Sequence, residues 1–142
     1  MRLTEFTDYG LRALMKLAAR PGETITVRTL AAELRLSGHH LTKIMQRLAA
    51  AGIVETRRGA GGGVRLSRPA ARIRLGDTVK ALEEPHAIVE CFKPGQSTCT
   101  LLPGCRLRTR LQRAESTFLF DLNRSTLADI SEPAGTGNFT RK

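Results

Sequence analysis

The chain has 142 residues, enough for one compact domain with an appended element and too few for two full-sized domains. Lys and Arg outnumber Asp and Glu by 23 to 13, and the formal net charge of +10 points to a polyanionic partner, nucleic acid first. No apolar run nears the ~20 residues of a spanning helix and no signal-peptide pattern opens the chain, so no membrane partner is expected and the location reads as cytoplasmic.

Leu3, Phe6, Leu11, Leu14, Met15, Leu17 and Ala18 recur at helical spacing until Pro21-Gly22, which predicts a helix over 3–19. Its other face carries Asp8 and Arg12 one turn apart, the spacing of a surface ion pair worth about 0.2–0.5 kcal/mol. Thr26 is placed to cap a helix over Val27–Leu34, with Leu30, Ala31 and Leu34 on its apolar face. After the turn Arg35-Leu36-Ser37, Ser37 caps a second helix running to about Ala51. In it Leu41, Ile44, Met45 and Leu48 face inward, while His39, His40, Thr42, Lys43 and Gln46 or Arg47 face out; Gly52 is placed to end it. Two short helices and a tight turn, the second helix polar and basic near its N-terminus, match a helix-turn-helix whose recognition helix enters the major groove. Five Phe, one Tyr and no Trp are too few aromatics for stacking unpaired bases, so duplex DNA is the expected partner.

Ile53 to Arg58, the glycine-rich run 59–63 and Val64 to Pro69 read as two short strands around a tip flanked by arginines, a wing. A phosphate loop would need a strand before the glycines, a helix directly after them and a closing Lys-Ser/Thr, and that pattern is missing. The DNA-contacting set expected from these elements is Arg28, Ser37, His39, His40, Thr42, Lys43, Arg47, Arg57, Arg58, Gly62, Gly63, Arg65 and Arg68. The wing arginines would supply affinity through phosphates more than sequence preference.

Ile73, Leu75, Val79 and Leu82 mark a helix from about Gly76 to Glu84, closed by Pro85. A loop-like stretch follows, holding all three cysteines, Cys91, Cys99 and Cys105, spaced C-x7-C-x5-C among two Pro-Gly pairs. An odd number of thiols in a reducing compartment argues against a disulfide framework and for a metal site or reactive thiols. Soft thiolates suit zinc or an iron-sulfur cluster, and a closed site of either kind takes four ligands, so one is missing from this loop. Glu90 and His86 are nearby rivals for that place. Beyond Cys105, Leu107, Leu111, Ala114, Phe118 and Leu122 form one stripe of a helix of about 17 residues, suited to packing against a twin in a two-fold dimer. Ser125 is placed to cap a short final helix, and the segment 131–142 reads as a disordered tail.

The expected fold is therefore mainly α: a winged helix-turn-helix DNA-binding domain over 1–84 with a small two-stranded wing, a cysteine-bearing loop over 85–105 and a dimerisation helix region over 106–130.

Several stretches together resemble the NsrR-type, nitric-oxide-sensing repressors of the IscR-like winged-helix family. They are the opening Met1-Arg2-Leu3-Thr4-Glu5-Phe6-Thr7-Asp8-Tyr9-Gly10-Leu11-Arg12-Ala13-Leu14, His40 to Ile44, the wing from Arg58 through Gly62-Gly63 and Leu66 to Arg68, Ile73 to Val79, the three-cysteine loop, and Thr126 to Ile130. The resemblance spans nearly the whole chain up to the tail. It implies a homodimer with one iron-sulfur cluster per subunit, [4Fe-4S] favoured over [2Fe-2S], held by Cys91, Cys99 and Cys105. The dimer would sit on near-palindromic operator DNA and release it when nitric oxide destroys the cluster. The resemblance also implies that the fourth ligand is Asp8 of the partner subunit; a carboxylate is harder and weaker than thiolate toward iron, which suits a labile corner. Gly38-His39 stand where an Arg-Asn-like pair is expected in close relatives, so base contacts are expected to differ.

The competing readings are a winged-helix regulator with structural zinc or a thiol redox switch, and an iron-sulfur electron carrier or cysteine-dependent enzyme. Wing arginines have no use in a carrier, and an enzyme would want a nucleophile-base pair in a pocket, so no enzyme is expected.

Overall fold

Thr4 opens the first helix, α1 (Glu5–Ala18): its hydroxyl accepts the Thr7 amide at 3.2 Å, satisfying one of the donors left over at a helix start. The computed structural model describes residues 3–84, 87–93, 95 and 97–131. Pro85, His86 and residues 132–142 of the expected tail lie outside the described residues.

Thr26 caps α2 (Val27–Leu34) by accepting the Thr29 amide at 3.0 Å, and Ser37 caps α3 (Gly38–Ala50) by accepting the His40 amide at 3.4 Å. Between them Arg35 takes the left-handed conformation (φ 55°, ψ 42°), which reverses the chain and lets the Leu36 amide reach the Ala31 carbonyl at 2.9 Å. Leu14, Leu30, Leu41, Ile44 and Leu48 are 0% exposed, so α1, α2 and α3 close on one core. Each such side chain stabilises the fold by roughly 1.5–3 kcal/mol relative to exposure.

The wing strands are β1 (Val54–Arg57) and β2 (Gly63–Leu66), antiparallel, with Val54 opposite Leu66 and Glu55 opposite Arg65. Ile25, just before α2, adds a third edge: its amide and carbonyl bond those of Val64 at 2.9 and 2.8 Å. Gly63 (φ 153°) must be glycine for this, because a Cβ there would run into the Ile25 backbone. The wing is thus pinned to the helix-turn-helix rather than hanging from it.

A 3-10 turn at Ala70–Arg72, absent from the expected elements, leads to α4 (Leu75–Glu83), which buries Leu82 in the same core and buries Val79 outside that cluster. The long helix α5 (Arg106–Leu122) has the expected 17 residues but none of them is fully buried. It lies on α4 at Gly76, where a Cβ would collide with the Leu119 carbonyl and the Asn123 side chain. Leu107 and Phe120 stay 64% and 73% exposed, which leaves apolar surface on α5 without a cover in one subunit.

The chain then returns. Leu75 donates to the Ser125 carbonyl (3.1 Å) and Leu127 to the Ile73 carbonyl (2.8 Å), docking α6 (Leu127–Ile130) on the winged-helix core with Leu127 0% exposed. Thr126, not Ser125, caps α6: Asp129 accepts the Thr126 amide and hydroxyl at 2.6 and 2.8 Å in a capping box. Among the described residues no helix is long and apolar enough to cross a membrane.

Candidate nucleic-acid interface and metal centre

The recognition helix α3 exposes Gly38, His39, Thr42, Lys43 and Gln46 along its outer face. Thr42 back-bonds to the Gly38 carbonyl at 2.8 Å, which positions its methyl and hydroxyl on the first turn. His40 is only half exposed. Its ring lies 5.6 Å edge-on from Tyr9 and 5.9 Å from Phe6, both on α1. Sequence reading missed these two partners, because an aromatic contact between helices has no signature in spacing.

The arginines expected to reach DNA divide into two groups. Arg28, Arg57 and Arg58 are exposed and, among the described residues, have no hydrogen bond or ion pair within the chain. The others are tied down. Arg47 donates to the Glu84 carbonyl at 2.7 Å, joining α3 to the end of α4. Arg68 donates to the carbonyls of Gly52 (2.7 Å) and Arg72 (3.3 Å), and Arg65 pairs across the strands with Glu55. Partners that are neutral carbonyls leave the charges of Arg47 and Arg68 uncompensated, so both still contribute to a positive field.

Arg20, two residues past α1, donates to the Glu33 carboxylate of α2 at 2.7 Å. The Arg20 hydrogen bond holds the Glu33 carboxyl below the ordinary glutamate range.

The cysteine loop is more structured than its composition implied. Cys91 sits in a 3-10 turn over Glu90–Phe92, Cys99 follows Thr98, and Cys105 occupies the residue just before α5. All three thiols are half buried and unpaired. Glu90 bends back over the loop: one carboxylate oxygen accepts the Thr98 amide at 2.9 Å and the Thr98 hydroxyl at 3.1 Å. The amide first, and the hydroxyl second, hold this carboxyl below its ordinary range. In the first turn of α5 Arg108 has a buried Nε without a hydrogen-bond partner.

Among the described residues no three His, Cys, Asp or Glu side chains converge closely enough to hold one metal ion. The donor set itself fits a thiophilic metal or cluster: three unpaired thiols on one loop, with an unsatisfied guanidinium N–H one turn past the last of them. The rival ligand His86 lies outside the described residues, and Glu90 is engaged by Thr98.

Asp8 forks onto Arg12, with Oδ1 to Nε at 3.0 Å and Oδ2 to Nη2 at 2.7 Å, the ion pair that i,i+4 spacing predicted. The Arg12 guanidinium lies 5.9 Å from the centre of the Tyr9 ring, and Tyr9 is the ring that meets His40. Asp8 is thereby connected to the recognition helix through side chains in contact.

A family model described as Rrf2, iron-dependent transcriptional regulator, matches residues 3–133. The fold is also similar to CymR (YrzC), the global cysteine regulator of B. subtilis, at 26% identity and TM-score 0.70 over 92% of this chain and 96% of that one. An oxidized form of Staphylococcus aureus CymR is 28% identical, TM-score 0.68, over 96% of this chain and 100% of that one. T. potens IscR shares the fold at 24% identity and TM-score 0.69, over 92% and 85% of the two chains. A match over nearly the whole chain, on a helical fold with a two-stranded wing, decides the family: the chain belongs to the Rrf2 family of transcriptional regulators.

Proposed function

We propose that the chain is a dimeric, DNA-binding repressor of the NsrR type, which holds an iron-sulfur cluster and releases double-stranded operator DNA in response to nitric oxide. The observation that carries this reading is the contact path from Asp8 to the recognition helix, beside a loop that holds three free thiols. Three unpaired thiols precede α5, and Asp8 is linked through Arg12 and Tyr9 to His40 of the recognition helix.

In this reading residues 1–84 read DNA, 85–105 hold the cluster and α5 dimerises, the exposed Leu107 and Phe120 being covered by a second copy; α6, expected within the dimerising region, instead packs on the winged-helix core of its own chain through Leu127. Cys91, Cys99 and Cys105 supply thiolates, and Asp8 of the partner subunit supplies the fourth ligand. When bound, the cluster supplies iron that reacts with nitric oxide. An Asp8 carboxylate drawn away from Arg12 would leave that guanidinium and the Tyr9 ring to repack under His40. Two arrangements of the same side chains, one with Asp8 on Arg12 and one without, would give the two states that a switch needs. His39, Thr42 and Lys43 face the groove from α3, and Arg57 and Arg58 face phosphates from the wing.

The test is an anaerobic preparation. It should be brown, bind its near-palindromic operator as a dimer, and lose both colour and binding on addition of nitric oxide. A colourless protein that binds DNA with unchanged affinity would refute the reading. Asp8→Ala should leave folding intact and make the cluster more labile.

A second reading is a winged-helix regulator whose thiols themselves sense oxidation, or hold zinc. It is favoured by the absence of a preformed metal cluster of side chains among the described residues, and by the likeness to CymR crystallised in an oxidized form. Metal and sulfide analysis of the same preparation separates the two.

A further inference from the structure

We infer that Glu90 is a positioning residue for the metal-binding loop: through Thr98 it closes the loop so that Cys91 and Cys99 are brought into register before any metal arrives. The inference rests on the reading above, that these cysteines bind metal, but its first test does not.

The geometry is specific. A single Glu90 carboxylate oxygen accepts both the backbone amide (2.9 Å) and the side-chain hydroxyl (3.1 Å) of Thr98, eight residues away. The two residues it joins are the immediate neighbours of Cys91 and Cys99. The bracket therefore ties together the bases of two thiols while leaving both sulfurs free. Each end is also ordered locally: Cys91 lies within the 3-10 turn Glu90–Phe92, and the Cys99 amide donates to the Ser97 hydroxyl at 3.3 Å. The Leu102 amide reaches the Cys99 carbonyl at 3.4 Å, which carries the fold of the loop on toward Cys105.

The same geometry gives Glu90 Oε1 to the loop rather than to a metal: Oε1 holds both Thr98 donors, and only Oε2 remains outside the bracket. Groups that orient metal ligands without touching the metal commonly matter for affinity. An unmetallated loop also loses conformational entropy when it binds, and a bracket present beforehand reduces that loss.

The first test uses metal-free, reduced full-length protein. Glu90→Ala should make the Thr98 and Cys99 amides exchange with deuterium about fivefold faster or more, as loss of a charge-assisted hydrogen bond implies, with the winged-helix amides unaffected. Thr98→Ser keeps both donors and should behave as the parent, while Thr98→Val, which loses only the hydroxyl, should fall between. Unchanged exchange in Glu90→Ala would overturn the inference.

The second test titrates the same apoproteins with Co(II) and follows the thiolate-to-metal charge-transfer band. Glu90→Ala should weaken binding by about 10- to 100-fold with the band shape unchanged. In a Glu90→Ala background, Thr98→Val should add nothing. A changed band shape would make Glu90 a ligand, and parental affinity would make the bracket irrelevant; either overturns the inference. If the parent protein shows no charge-transfer band at all, the metal-binding reading fails, while the exchange result still decides whether the bracket exists.

Discussion

Asn123, the residue just past α5, holds Asp77 at two points: its Oδ1 accepts the Asp77 amide at 3.0 Å, and its Nδ2 donates to the Asp77 carboxylate at 2.9 Å. Asp77 is in the first turn of α4, whose own N-cap residue, Arg74, makes no side-chain cap. Asn123 thus caps α4 from another helix, and Arg74 returns the contact by donating to the Asn123 carbonyl at 3.0 Å. The cap couples the orientation of α5 to the DNA-binding core, beside the close approach at Gly76.

Removing this cap should be costly for its size. Asn123→Ala is expected to lower stability by about 1–2 kcal/mol, the range for a lost N-cap and an amide left without its partner. A urea denaturation midpoint checks the value. Asn123→Asp keeps the acceptor but sets two carboxylates together, so it should not recover the parent stability.

Arg35 stands in the left-handed region at φ 55°, where a side chain with a Cβ is disfavoured and glycine is not. Arg35→Gly should therefore raise stability, by about 0.5–1 kcal/mol after the greater freedom of the unfolded glycine is counted. A lower melting temperature would mean that Arg35 makes up for its strain through contacts in the turn.

Glu33 has its carboxyl pKa lowered by Arg20, so the folded protein binds that proton less readily than the unfolded chain. The stabilisation is present above the unfolded value, about 4.3, and is lost as pH falls through the lower folded value. Both side chains are about a third exposed, which limits the pair to about 0.2–1 kcal/mol. The stability gap between the parent and Glu33→Gln should be open at neutral pH and close in acid. A gap that widened in acid would contradict the assignment.

Arg58 and Arg68 should separate by phenotype. Arg58 has no partner within the described chain, so Arg58→Ala should weaken operator binding across sequences and reduce the salt slope by about 0.9, with stability unchanged. Arg68 bonds the carbonyls of Gly52 and Arg72, so Arg68→Ala should also lower stability, by about 0.5–1.5 kcal/mol. Gel-shift titrations at several salt concentrations, with denaturation of the same variants, distinguish the two.

Much of the architecture could be read directly from residue order. Thr26 and Ser37 cap the helices they precede, Leu30, Leu41, Ile44 and Leu48 fall inward, and 59–62 form the wing tip, because periodicity, caps and glycines act within a few residues. The cysteine spacing and the Asp8–Arg12 pair are local in the same sense. Other features depend on segments brought together only by folding. Ile25 joins the wing, Asn123 caps α4, Tyr9 and Phe6 meet His40, and Thr98 takes the Glu90 carboxylate that the loop composition offered as a ligand. The sequence by itself determined the caps, the inward faces of the helices and the candidate side chains for DNA or metal. Tertiary structure decided which of them are committed to holding the fold, because a hydrogen bond between distant segments needs a partner whose position no local pattern encodes.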